Sequence, residues 1–166
     1  MFSGKVVLIT GAAGALGQAV FAHFAERNAV VVALDYSDEL LAAAFPDQQS
    51  PHRYLSLDLT KRESCHQVIS GVIAELGRAD VLCNIAGGFI MGEAVHETSD
   101  KTWDFLFELN TRSIVNTASV VVPAMLQQNS GKIINVAARA ATTGYALMGA
   151  YTASKAAVMR LTESMA

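Results

Sequence analysis

A doubly wound α/β fold, a parallel sheet between two helical layers (three-layer α/β/α), is predicted by three features of this 166-residue sequence. Short apolar runs alternate with longer segments of helical period. The runs lack polar alternation, as strands covered on both faces require, and the first passes directly into a glycine-rich turn and a helix. Strands alternating with helices imply right-handed crossovers and a ligand at the carboxyl ends of the strands. The length fits a single domain over residues 1–166 with a sizeable core.

The elements follow in order. Lys5 to Ile9, with Val6, Val7, Leu8 and Ile9, predicts the first strand, and a helix runs on to about Arg27. Ala29 to Leu34 predicts a second strand ending at Asp35, and Asp38 to Ala44 a short helix stopped by Pro46. Residues 46–52 read as a polar loop, Arg53 to Leu57 as a third strand, and Lys61 to Leu76 as a helix closed by Gly77. Asp80 to Cys83 predicts a fourth strand leading into Asn84, Ile85, Ala86, Gly87 and Gly88. Thr98 or Ser99 caps a helix holding Trp103, Phe105, Leu106 and Leu109, with Asn110 at its end, and a second helix runs from Thr111 towards Gln128. Gly131 opens a fifth strand, Lys132 to Val136; the stretch from Ala137 to Gly149 is loop-like, and a helix carrying Tyr151 follows.

Composition narrows the function. A net charge of −3 provides no basic field for a polyphosphate backbone, so nucleic acid is not an expected partner. No apolar run approaches the ~20 residues of a membrane span, and the first strand begins within five residues of the start; no membrane partner and a cytoplasmic address are expected. Hydrophobic residues make up 52%, mostly small or branched, which points to a subunit interface. Cys65 and Cys83 read as packing thiols. His23, His52, His66 and His96 share no ligand spacing, so no metal site is expected.

Two stretches carry chemistry. Thr10, Gly11, Ala12, Ala13, Gly14, Ala15, Leu16 and Gly17 join a strand to a helix, where glycines let a pyrophosphate meet the backbone N–H groups and the positive helix end. Asp35 ends the next strand, where a carboxylate would accept adenosine ribose hydroxyls. Its charge repels a 2′-phosphate, and no Arg or Lys stands at Ala12, Ala13, Tyr36 or Ser37 to receive one; NAD is expected over NADP. Asp58 and Leu59 fall at the third strand's end, beside an adenine or, for Asp58, equally as a helix cap. Asn84, Ala86 and Gly87 place an amide and open backbone near a nucleotide, or simply make a tight turn. In the second stretch, Tyr151 and Lys155 lie one helical turn apart, so the ammonium favours the phenolate and suits the tyrosine to general acid–base work.

Together TGxxxGxG at Thr10–Gly17, NIAG at Asn84–Gly87, Asn110, and YxxxK at Tyr151–Lys155 resemble the short-chain dehydrogenase/reductase family along the whole chain. The resemblance implies a Rossmann-type NAD site and hydride transfer between nicotinamide and a small carbonyl or alcohol substrate. Tyr151 would be the proton donor or acceptor, Lys155 would hold the nicotinamide ribose, and Asn110 would position a relay water. It also implies a homodimer or homotetramer through helices 111–128 and 150–166. Tyr145 has Gly149 where its lysine would stand, so it is expected to line the pocket.

The sequence departs from that pattern twice. The family's catalytic serine stands thirteen residues before the tyrosine, and here that position is Ala138. One lost oxyanion donor costs about 2.7–4 kcal/mol. Thr142 or Thr143 would replace the hydroxyl; or the substrate needs no such donor, as in dihydropteridine reductases that also carry alanine there; or the protein binds NAD as a sensor or assembly subunit. Second, Ala166 falls within the helix of Tyr151, where family members continue with strands and a helical lid, so this is expected to be part of a longer protein.

Overall fold

The computed structural model describes residues 2–166. Five strands, β1 (Val6–Thr10), β2 (Val30–Asp35), β3 (Arg53–Ser56), β4 (Val81–Asn84) and β5 (Lys132–Asn135), form one parallel sheet in the order β3-β2-β1-β4-β5. The chain turns one way from β1 to reach β2 and β3, and β4 and β5 lie on the other side. The direction therefore reverses between β1 and β4, where a doubly wound sheet opens a crevice at its carboxyl edge.

Alternation along the strands builds two cores. Val7 and Ile9 of β1, with Val31 and Ala33 of β2, pack on Phe21 and Phe24 of α1 (Ala15–Ala25) and Leu41 of α2 (Asp38–Ala44). Leu8, Val32, Leu34 and Leu82 point to the opposite face, onto Ile69 and Val72 of α3 (Arg62–Leu76) and Val121 and Met125 of α5 (Ser113–Gln127). Side chains of successive residues leave a strand on opposite faces, so these uniformly apolar runs serve both layers. Coverage fails at β5, where Ile134 is 50% exposed.

Most boundaries lie within a residue or two of the sequence reading, with differences that matter to the site. β1 extends to Thr10, so this polar residue ends the strand instead of opening the turn, and Asn84 stands at the end of β4. Ser99 caps α4 (Asp100–Phe107) by accepting from Thr102 N at 3.2 Å, deciding between the two expected caps. Two separate helices around Asn110 were expected. A single run instead passes from α4 through a π-helical turn, Glu108–Arg112, directly into α5. Neither Gly nor Pro falls between Phe107 and Ser113 to stop it, and a widened turn absorbs the change of phase. The stretch from Ala137 to Gly149 contains a short 3-10 turn, Arg139–Ala141, before α6 (Gly149–Ser164).

At the edge of the sheet opposite the crevice, Asp80 is 5% exposed and joins the starts of β1 and β4. It accepts from Val6 N at 2.9 Å, Lys5 Nζ at 3.0 Å, and Arg78 Nε and Nη2 at 2.6 Å each. Burial alone would push its carboxyl up, but these donors outweigh it and hold the group at about 2.

Candidate active site

A cleft of about 780 Å³ opens at the carboxyl ends of the strands, running from Leu16 and Asp35 past Asp58 and Leu59 to Ala86 and Gly87. Backbone geometry shapes its floor. Gly11 has φ +66°, and a Cβ there would stand 2.8 Å from Ala86 Cα, so only glycine lets the turns after β1 and β4 touch. A Cβ on Gly17 would stand 2.2 Å from Gly11 O; its absence allows the first turn of α1 to close onto the loop. Gly14 is the N-cap of α1, and with no side chain to cap that end, the helix's positive terminus is left for an anion.

Asp35 serves this loop directly: Oδ2 accepts from Ala13 N and Oδ1 from Tyr36 N, each at 2.8 Å. Thr10 binds strand ends together, its Oγ1 accepting from Ile85 N at 3.1 Å and Ala86 N at 3.3 Å. Asp58 does not cap α3. Its Oδ1 accepts from Thr60 N and Oγ1, at 2.9 and 2.6 Å, in a local turn, while the N-cap of α3 is Lys61, which has no side-chain capping bond. Leu59 fixes the adjoining wall by accepting from Asn116 Nδ2 at 2.9 Å. Asn84 is buried and commits its amide to neighbouring elements, donating to Asn135 Oδ1 at 2.8 Å and accepting from Thr117 Oγ1 at 2.9 Å. Asn135 in turn donates to Thr162 of α6 at 2.9 Å. Sequence reasoning did not single out Thr117, Asn135 or Thr162, because nothing in a lone polar residue announces a strand-to-helix tether.

Behind Gly87, which lines the other end of the cleft, lie buried charged and amide groups. Lys155 is 5% exposed, its Nζ donating to Val136 O at 2.8 Å, and burial lowers its pKa from the usual lysine value. Asn110 is wholly buried: Oδ1 accepts from Gly88 N at 2.8 Å, and Nδ2 donates to Gly88 O at 3.1 Å and Ser154 Oγ at 3.0 Å. Gly87 lies between them, since a Cβ there would stand 2.8 Å from Asn110 Oδ1 and 3.1 Å from Lys155 Nζ. Tyr151, one turn before Lys155, meets the ring of Phe89 edge-on at 4.8 Å. Ala138 precedes the 3-10 turn and supplies no hydroxyl; Thr142 Oγ1 donates to Arg139 O at 2.9 Å, and both Thr142 and Thr143 are exposed. No cluster of three metal-ligating side chains occurs among the described residues.

A sequence profile of the short chain dehydrogenases matches residues 5–166. The chain belongs to this family. It is 34% identical to the 3-oxoacyl-[acyl-carrier-protein] reductase FabG of Thermotoga maritima over 98% of this chain and 67% of that protein. It is 32% identical to an NAD-dependent glycerol dehydrogenase of Listeria innocua, over 98% and 63% respectively. The crystal structure of an NAD⁺-bound xylitol dehydrogenase superposes with a TM-score of 0.92 at 30% identity, covering 99% of this chain and 65% of that one. The chain thus spans about two thirds of these relatives' length. The family comprises oxidoreductases that work with nicotinamide nucleotides, and no helix among the described residues is long and apolar enough to cross a membrane.

Proposed function

We propose that this chain carries the cofactor site and the proton-transfer residues of an NAD-dependent oxidoreductase acting on a small carbonyl or alcohol. The observation that carries the reading is the meeting of Lys155 and Asn110 behind Gly87, a lining residue of the glycine-floored cleft, with Tyr151 one helical turn before Lys155. The residues fit a dinucleotide: Gly11 and Gly17 let the loop and the first turn of α1 pack together without side chains, and the uncapped α1 terminus at Gly14 lines the cleft's phosphate end. Gly11, Gly14, Leu16 and Gly17 would hold the pyrophosphate. Asp35 would take the adenosine ribose, Asp58 and Leu59 the adenine, and Ala86, Gly87 and Lys155 the nicotinamide half. Thr10 and Asn84 would act from behind, by holding β1, β4 and β5 together. NAD is favoured over NADP because Asp35 presents negative charge where a 2′-phosphate would sit.

The bound nicotinamide supplies or accepts the hydride. Tyr151 would deliver the matching proton to the carbonyl oxygen, or remove it from the alcohol, so that hydride and proton together interconvert the two. Lys155, held in a dry setting, places its positive charge one turn from that phenol. Both amide protons of Asn110 are already donated, so a relay water would have to bind at its oxygen or main chain.

Tyr151→Phe tests the reading: NADH affinity should persist while turnover falls about 10²–10⁴-fold. Unchanged turnover would remove Tyr151 from the chemistry. Ala138 favours a second reading, a dihydropteridine-reductase-like activity on a quinonoid pterin, whose reduction needs no serine hydroxyl. Assaying ketones and quinonoid dihydropterin side by side with NADH separates the two.

A further inference from the structure

Ser154 stands between the two reactive residues of α6 and is completely buried. Its hydroxyl donates to Tyr151 O at 2.8 Å and accepts from Asn110 Nδ2 at 3.0 Å. Thr111, the residue after Asn110, donates from Oγ1 to Ser154 O at 3.1 Å. Two consecutive residues of the π-helical turn therefore reach the same residue of α6, one through its side chain and one through its carbonyl. The hydroxyl has one proton, which goes to Tyr151 O, so towards Asn110 it can only accept. That polarity agrees with the one Gly88 imposes: Nδ2 faces Ser154 and donates its second proton to Gly88 O, while Oδ1 accepts from Gly88 N.

We infer that Ser154 is a positioning residue, a clamp that orients Asn110 and thereby fixes the Gly87–Gly88 backbone against the turn carrying Tyr151 and Lys155. The inference rests on the nicotinamide reading of that end of the cleft. An alanine at 154 would preserve the packing and remove only the oxygen, leaving a buried Asn110 proton without an acceptor and the carboxamide held by its two bonds to Gly88 alone. The consequence would be local to the nicotinamide end. The adenosine end, at Asp35 and the α1 terminus, shares no hydrogen bond with this network.

The test compares wild type, Ser154→Ala and Thr111→Val for binding of NADH and of ADP-ribose, which lacks the nicotinamide, together with amide exchange at Gly88. Ser154→Ala is expected to weaken NADH on the order of tenfold, leave ADP-ribose within about twofold, and speed Gly88 exchange while global protection holds. Thr111→Val should act in the same direction less strongly, and it carries the test should Ser154→Ala not fold. Equal loss of both ligands, or unchanged NADH affinity and Gly88 exchange, would overturn the clamp. A wild-type protein that binds ADP-ribose and not NADH would overturn the nicotinamide reading, and the clamp with it.

Discussion

Lys155 burdens stability at the position proposed to serve the chemistry. Burial disfavours its charged form, so the folded state holds this proton less firmly than the unfolded chain does. With the folded pKa below the ordinary 10.5, the unfolded chain binds more protons in the window between the two, and stability rises with pH there. Below that window the full penalty applies. Lys155→Met should therefore raise the melting temperature at neutral pH while weakening NADH, readable by calorimetry and fluorescence titration; a lowered melting temperature would contradict it. Ala138 permits a complementary test. If the substrate is a simple ketone, Ala138→Ser should raise turnover by up to about a hundredfold through a new oxyanion donor, whereas a pterin-type substrate should show no gain. Residue identity alone drew attention to these positions: a phenol and an ammonium one turn apart, glycines at a strand end, an alanine where the family resemblance implies a serine. Ser154 and Thr111 were not legible. A hydroxyl inside a helix has no sequence signature until its partner on another element is known.

At the scale of elements, the strands were readable because parallel strands buried on both faces must be continuously apolar, which Val6–Ile9 and Val30–Leu34 satisfy. The π-helical turn was not, since no residue type marks it and its consequence is spatial: it brings Asn110 and Thr111 to one residue of α6. Nor could the sequence show that Asp58 leaves α3 uncapped, which depends on its bonds to Thr60. Opposite the cleft, Asp80 fastens β1 to β4. Its folded value of about 2 lies below the ordinary 3.8, so its contribution is complete above that ordinary value and lost as pH falls from there towards 2. Asp80→Asn should cost about 2 kcal/mol at neutral pH and flatten the acid limb of a stability–pH curve measured by urea denaturation. An unchanged limb would show that Lys5 and Arg78 do not hold the carboxylate in solution.

For the whole molecule, the order β3-β2-β1-β4-β5 puts a cleft of about 780 Å³ where the winding reverses, and the glycine turn, Asp35 and the Ala86–Gly87 turn all arrive there from separate stretches of sequence. Assembly belongs to this scale too. Phe107, Thr111 and Val115 on one side, with Ala157, Arg160 and Leu161 on α6, line an open groove of about 520 Å³. A twofold pairing of α5 and α6 would close it, and sedimentation should show a dimer or tetramer that Val115→Glu with Leu161→Glu dissociates. A monomer at tens of micromolar would contradict that pairing. The cleft is proposed to hold a nicotinamide dinucleotide and to select the form without a 2′-phosphate. Parallel fluorescence titrations with NADH and NADPH test it most directly. Saturable NADH binding at least about tenfold tighter than NADPH is predicted from the charge of Asp35; no NADH binding, or equal or tighter NADPH binding, would contradict the account.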